Sequence, residues 1–174
     1  MKLVKEKTIY QNYRRLLLRT FVDEQGKTSE FEVGGSIYGS ASIIALTEDN
    51  NIILVREFRP GPMKEFLDIP GGCLDDGENP VDCAIRELTE ETGYVGTKAT
   101  LLGKIFDGAY ISNPKYAVLI EGCTFKEGSQ TEDIEVVLKP YEEYLENLKP
   151  EDTVNLAALL LFKEYLRKKD STNC

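Results

Sequence analysis

The stretch GCLDDGENPVDCAIRELTEETGY, residues Gly72 to Tyr94, decides how this chain is organised. It contains start and stop signals for one helix. Asn79 is a favoured N-cap residue, and Pro80 is tolerated in the first turn because its missing N–H would have no partner there. Gly93 is the expected end, since glycine adopts the left-handed cap conformation without steric cost. The sequence therefore predicts a helix between Asn79 and Gly93.

The side chains of this helix divide into two faces. At about 100° per residue one stripe is apolar and is expected to face the core; it contains Val81, Ala84, Ile85 and Leu88. Three carboxylates spaced i, i+3 and i+4 lie on roughly the opposite side: Glu87, Glu90 and Glu91. Like charges at this spacing destabilise a bare helix, and a divalent cation bound by hard oxygen ligands would offset the repulsion. The alternative is a solvated acidic face.

Four neighbouring features favour the metal site: the glycine loop Pro70–Gly72, Glu78 before the cap, Arg86 beside the cluster, and the glycine stop. Arg86 can reach Glu90 at i+4, which would leave the other two glutamates freer to bind metal. Together these features resemble the Nudix box, Gly-x5-Glu-x7-Arg-Glu-U-x-Glu-Glu-x-Gly-U, where U is bulky and apolar. The matching residues are Gly72, Glu78, Arg86, Glu87, Leu88, Glu90, Glu91, Gly93 and Tyr94. Only the last departs, being Tyr rather than aliphatic.

Composition excludes several other classes of protein. The 174 residues suit one domain. A formal net charge of −9 argues against binding a nucleic-acid backbone, and the lack of histidine excludes histidine chemistry. No apolar run approaches the roughly 18 residues of a membrane span, and no signal region is evident, so we expect a cytoplasmic protein. There is no C-x-x-C pair or zinc spacing among the cysteines, Cys73, Cys83, Cys123 and Cys174.

The rest of the chain alternates strand and helix patterns. Residues 8–34 predict an N-terminal strand pair, within a segment 1–40 that we expect to be a dimerisation element of the same domain as residues 41–174. The run 41–46 predicts a strand buried on both faces, with 52–55 as its partner. Residues 65–69 lead into the glycine loop. Further strands are expected at 99–106, 116–120 and 134–138, and helices at 140–148 and 154–169. The family resemblance implies an α+β fold, an α-β-α sandwich around a mixed sheet with an N-terminal hairpin.

Three further residues are candidate substrate contacts. Arg56 and Arg59 close a strand, where a planar guanidinium could clamp phosphate; surface arginine is the alternative. Tyr110, in a loop of Gly, Ser, Asn and Pro, could stack on a base, or it could simply face solvent.

Beyond the box, the order of elements resembles the ADP-ribose and nucleotide-sugar pyrophosphatase branch of Nudix hydrolases. Two positions depart from that branch: Ala109 stands where a proline is usual, and Asp68 where a glutamate is usual. The resemblance implies Mg²⁺, with Mn²⁺ as a substitute, bound by Glu87, Glu91, Glu90 and the carbonyl of Gly71. It assigns Arg86 and Glu78 to orienting the ligands.

The resemblance also implies a homodimer, and a general base outside the box. We expect that base to be Glu132, on a mobile loop over 126–133, with Glu87 or Glu135 next; a merely solvated loop is the alternative. The expected activity is cleavage of a nucleoside diphosphate linked to another moiety, with ADP-ribose first and other nucleotide sugars next. Two alternatives are hydrolysis of nucleoside triphosphates or dinucleoside polyphosphates, and a module that binds ADP-ribose-like ligands without cleaving them.

Overall fold

The computed structural model describes residues 1–172, which form two β-sheets and three α-helices. Cys174 lies outside these residues, and the other three cysteines are free thiols. The larger sheet runs β10–β5–β4–β9–β7, with β6 pairing with β5 and β8 pairing with β9. Its strands are β4 Ser40–Thr47, β5 Asn51–Arg59, β6 Lys64–Asp68, β7 Tyr94–Val95, β8 Lys98–Ile105, β9 Lys115–Phe125 and β10 Glu135–Pro140. Because β4 and β9 are parallel while the other pairs are antiparallel, the sheet is mixed.

Helices cover both faces of this sheet. They are α1 Pro80–Thr92, α2 Tyr141–Asn147 and α3 Leu156–Thr172, with a 3₁₀ turn at Pro150–Asp152. Along β4, Ile43 packs in the cluster that contains α1, and Ile44 packs in the cluster that contains α2 and α3. Successive strand residues point to opposite faces, so a continuous apolar strand is what two covered faces require. The predicted α-β-α sandwich is confirmed. No helix among the described residues is long and apolar enough to cross a membrane.

The N-terminal sheet has three antiparallel strands, where the sequence predicted two: β1 Lys2–Gln11, β2 Arg15–Val22 and β3 Thr28–Gly35. The prediction missed β1 because every one of its residues is exposed and two register shifts interrupt its alternation. This sheet is joined to the body by a bridge between Gly34 and Ile111 and by a Phe31–Tyr110 ring contact at 6.3 Å.

Asp68 ends β6 in a buried polar network. Its carboxylate accepts hydrogen bonds from the backbone of Ile69 and Val154 and from the side chains of Thr153 and Asn155, at 2.8 to 3.1 Å. Four donors satisfy the buried charge, and they tie β6 to the chain entering α3. Asp68 is therefore a structural residue that positions the glycine loop immediately after it.

Candidate active site

Helix α1 begins and ends where its capping residues predict. The side chain of Asn79 accepts hydrogen bonds from the backbone N–H groups of Val81 and Asp82 at 2.9 and 3.0 Å. Gly93 adopts the left-handed conformation (φ 74°), and its N–H donates to the carbonyl of Thr89. Both ends of the helix are therefore held by local contacts that the sequence specifies.

The faces of α1 differ from the prediction. Ile85, expected in the core, is 45% exposed, whereas Glu87 and Glu91 are only 8% and 5% exposed. The helix packs on the sheet through Cys83, Ala84 and Leu88. The acidic face is buried because the glycine loop lies over it, a tertiary contact that helical periodicity does not report.

The glycine loop runs beside β4 at very close range. The carbonyls of Pro70 and Gly72 accept hydrogen bonds from β4, and the Gly71 N–H between them donates to Glu91 Oε2 at 3.0 Å. Successive residues of an extended chain point their N–H and C=O groups to opposite sides, so Pro70 and Gly72 bond to β4 while the Gly71 N–H faces α1. A Cβ at Gly72 would lie 2.1 Å from the carboxyl carbon of Glu87. Only glycine at position 72 lets the Glu87 carboxylate approach this backbone. A Cβ at Gly71 would instead lie 2.3 Å from the carbonyl oxygen of Ala41 in β4.

Arg86 is the centre of an ion-pair network. Its Nε and Nη2 each lie 2.9 Å from one oxygen of Glu78, and Nη1 lies 2.8 Å from Glu87 and 3.1 Å from Glu90. The contact with Glu90 is confirmed, but Glu87 is also held, contrary to the expectation that it would be free. The bidentate Arg86 contact lowers the pKa of Glu78 to about 2. The guanidinium therefore orients three carboxylates at once.

Burial raises the pKa of two other glutamates of the cluster, Glu91 and Glu87. It raises the pKa of Glu91 to about 8, although the Gly71 N–H opposes the shift, and the charges of Glu87, Glu57 and Glu132 add to it. Burial also raises the pKa of Glu87. Clustered carboxylates out of water favour either a proton or a cation. Since every side-chain atom that could bind a metal here is a carboxylate oxygen, the cluster fits a hard divalent cation such as Mg²⁺.

Glu132 lies beside these acids. One carboxylate oxygen from each of Glu87, Glu90 and Glu132 can be chosen so that all three lie within 4.8 Å of one another. The backbone N–H groups of Thr131 and Glu132 both donate to the carbonyl of Glu90, at 2.9 and 3.1 Å. The loop predicted to be mobile is therefore docked on α1, and it brings Glu132 to the cluster.

The candidate substrate contacts separate in space. Arg59 pairs with Glu57 at 2.8 Å, and its buried Nε has no hydrogen-bond partner among the described residues. Arg56 pairs instead with Glu135 across β5 and β10. Tyr110 lies against Phe31 of the N-terminal sheet. Arg59 shares a strand face with Glu57, whose charge acts on Glu91, and is thereby aligned with the acidic cluster.

Sequence reasoning missed two residues near the site. Glu57 stands two residues before Arg59, so strand periodicity alone could have placed it on the same face. Tyr13 reaches the glycine loop from the β1–β2 turn, with its hydroxyl 3.7 Å from the sulfur of Cys73. Tyr13 and Cys73 are sixty positions apart in the sequence, so no local pattern could have indicated this contact.

The glycine loop, the arginine network and the converging glutamates agree with one family model, that of the NUDIX domain, which matches residues 38–168. The chain belongs to the Nudix family. Its similarity to a Bacillus subtilis protein named ADP-ribose pyrophosphatase is 33% identity over 123 residues, covering 67% of this chain and 63% of that protein. The chain thus spans less than two thirds of that relative's length.

A second protein and a solved structure are also similar to this chain. The Escherichia coli protein named ADP compounds hydrolase is 28% identical over 133 residues, covering 73% of this Nudix chain and 72% of that protein. A solved structure titled as an ADP compounds hydrolase superposes with a TM-score of 0.79 at 23% identity, covering 97% of this chain and 95% of that one. At that identity the superposition shows the shared fold.

Proposed function

We propose that this Nudix protein is a metal-dependent pyrophosphohydrolase that cleaves a nucleoside diphosphate linked to another moiety. ADP-ribose is the first candidate, giving AMP and ribose 5-phosphate with consumption of one water; other nucleotide sugars come next. The observation that carries the proposal is the burial of Glu87 and Glu91 beside Glu90 under a glycine loop. Relatives named for ADP-ribose and ADP compounds support the choice of substrate.

The metal-binding residues of this proposal are Glu87, Glu90 and Glu91, with the carbonyl of Gly71. Carboxylates and a carbonyl suit Mg²⁺, with Mn²⁺ as a substitute. When bound, such ions neutralise the diphosphate and lower the pKa of the attacking water. Arg86 and Glu78 hold the carboxylates in place, as partners outside the ligand set commonly do.

Glu132 is the proposed general base. Its side chain is exposed, so water can reach it, and it lies within reach of Glu87 and Glu90. Of the two substitutes, Glu135 pairs with Arg56 and Glu87 pairs with Arg86, so each already neutralises a guanidinium. Arg59 is proposed to bind the diphosphate, with Arg56 and Tyr110 as further substrate contacts.

The proposal also includes a homodimer formed through the N-terminal sheet, and a cytoplasmic location. Strand β1 is exposed along its whole length, and one of its edges is not paired within the described sheet. Unpaired edges of this kind pair readily with another strand.

The test is a panel of phosphoric anhydrides incubated with Mg²⁺ and separated by chromatography. It contains ADP-ribose, nucleotide sugars, a dinucleoside polyphosphate and nucleoside triphosphates. We expect AMP and ribose 5-phosphate from ADP-ribose, no product in excess chelator, and recovery when Mg²⁺ is restored. Glu91→Gln should lower the rate by several orders of magnitude with the fold retained. Its control is Glu146→Gln, on an exposed position of α2.

Other products from this panel would reassign the substrate. Triphosphates or dinucleoside polyphosphates cleaved in preference to ADP-ribose would indicate the alternative Nudix activity. Tight ADP-ribose binding without cleavage of any compound would indicate a ligand-binding module. Full activity in excess chelator would refute the metal site.

A further inference from the structure

The segment between β9 and β10 is hydrogen-bonded to the end of α1. The last carbonyls of a helix have no partner within it, and here this segment supplies donors. Glu90 O accepts from the N–H groups of Thr131 and Glu132. Gly93 O accepts from Lys126 N at 2.9 Å and from Ser129 Oγ at 3.1 Å. The docking therefore uses backbone groups that α1 leaves free.

The side chain of Gln130 joins the two ends of the loop that carries Glu132. Its side-chain nitrogen donates to Glu91 O at 3.0 Å and to Ile134 O at 2.9 Å. Both partners are carbonyls that can only accept, so the amide orientation follows from chemistry. The two N–H groups bridge the helix to the residue just before β10. The chain from 130 to 134 is thereby closed into a short loop with Glu132 inside it.

We propose that Gln130 is a positioning residue for Glu132: its two hydrogen bonds hold the loop so that the Glu132 carboxylate stays beside Glu87 and Glu90. The inference rests on the proposed function, in which Glu132 is the general base. An exposed glutamate on an untethered loop samples many rotamers and backbone positions, and proton abstraction requires one narrow range of geometry. Both side-chain hydrogen bonds of Gln130 go to backbone carbonyls, so in this proposal its effect passes through Glu132.

The first experiment removes both donors while keeping side-chain length. Gln130→Met should lower kcat on ADP-ribose by about 10- to 100-fold, the usual cost of losing a partner that orients a site residue, while KM changes little. Gln25→Met makes the same change in the exposed β2–β3 turn and should leave kcat unchanged. Gln130→Glu, which keeps the shape but lacks the N–H donors, is the second variant and should share the defect.

A second readout does not depend on catalysis. Hydrogen exchange of the Thr131 and Glu132 amides in metal-free protein should be about tenfold faster or more in Gln130→Met, because exchange reports local opening of the docked loop. Amides of β4, on the far side of the glycine loop, should keep wild-type rates. Wild-type exchange at Thr131 and Glu132 in the variant would overturn the proposal.

A double-mutant cycle separates positioning from general structural support. In the Glu132→Gln background, Gln130→Met should have almost no further effect on kcat, because the group it positions is already inactive. An equal loss in both backgrounds would overturn the proposal and assign Gln130 a structural role. If the wild-type chain cleaves none of the anhydrides, the proposed function fails, yet the exchange measurement still decides whether Gln130 holds the loop.

Discussion

Glu78, Glu87 and Glu91 are identical side chains that the structure places in different electrostatic environments. Glu78 pairs with Nε and Nη2 of Arg86, which lowers the pKa of Glu78 and favours its charged form. Glu91 receives one backbone N–H and otherwise faces other carboxylates. The sequence motif marks all three positions, but it does not report burial. It therefore could not predict which glutamates have a pKa raised by burial. That difference supports the proposal that Glu78 orients the site and that Glu91 binds metal.

The raised pKa of Glu91 predicts an unusual pH dependence of stability. In the unfolded chain this carboxyl titrates near about 4.3, and in the folded, metal-free protein near about 8. The folded state therefore binds the proton more tightly, so the stabilisation is complete below about pH 4 and is lost as pH rises through about 8. Urea unfolding in chelator should show a free energy of unfolding that falls across this window.

Glu91→Gln should flatten that slope, whereas Glu146→Gln should keep it, since Glu146 is exposed on α2. Added Mg²⁺ should raise the stability of the wild-type protein increasingly with pH, because the cation needs the deprotonated carboxylates. A wild-type slope in Glu91→Gln would show that another group, with buried Glu87 the first candidate, dominates the titration.

Glu132→Gln tests the proposed base. Loss of a general base typically lowers kcat by about 10²–10⁴-fold, and we expect that loss with little change in Mn²⁺ affinity measured by calorimetry. If Glu132 were instead a metal ligand, the variant would lose Mn²⁺ affinity together with kcat. The distinction is needed because Glu132 lies beside Glu87 and Glu90. Asp133→Asn, on the neighbouring exposed residue, is the control. Near-full kcat in Glu132→Gln would move the base to Glu87 or Glu135.

At the scale of elements, local sequence signals predicted the ends of helix α1 correctly, but they did not predict the contacts that α1 and β1 make with distant segments. The ends of α1 follow from Asn79 and Gly93, whose capping bonds involve only neighbouring residues. The buried face of α1 depends on a loop that follows β6, and β1 depends on pairing with β2. The loop at 126–133 looked mobile because it is polar, but its donors meet carbonyls of α1. Contacts between distant segments leave no local signature.

The glycine loop supports a prediction about Gly72. In Gly72→Ala the new methyl group would overlap the Glu87 carboxylate, and Arg86 restrains that carboxylate from moving aside. Because the Glu87 carboxylate would be misplaced, we expect kcat to fall by about 10²-fold. The free energy of unfolding should change by a smaller factor. Gly61→Ala is the control, since a Cβ there meets nothing within 4 Å. Wild-type activity in Gly72→Ala would show that the Glu87 position is not critical.

At the scale of the whole molecule, the chain contains a seven-stranded sheet between helices and a three-stranded N-terminal sheet whose first strand is exposed to solvent. The seven-stranded sheet is packed on both faces, whereas β1 is exposed at every residue. Exposed apolar side chains on β1 include Leu3, Val4, Ile9 and Tyr10. The sandwich was implied by the family resemblance, and the apolar run at 41–46 separately predicted a strand buried on both faces. Whether a second copy pairs with the free edge of β1 could not be predicted, because one chain's sequence does not show which surface meets another molecule.

The exposed β1 strand leads to a prediction of self-association. An unpaired edge with apolar side chains gains hydrogen bonds and buried area when it meets another strand. Light scattering at micromolar concentration should therefore give a mass twice the 19.6 kDa of the chain. Ile9→Lys should shift the protein toward monomer, because a lysine on an edge strand opposes pairing. Gln25→Lys adds the same charge in the β2–β3 turn and should leave the dimer intact. A wild-type mass of 19.6 kDa would refute the dimer, and a dimer insensitive to Ile9→Lys would place the interface away from β1.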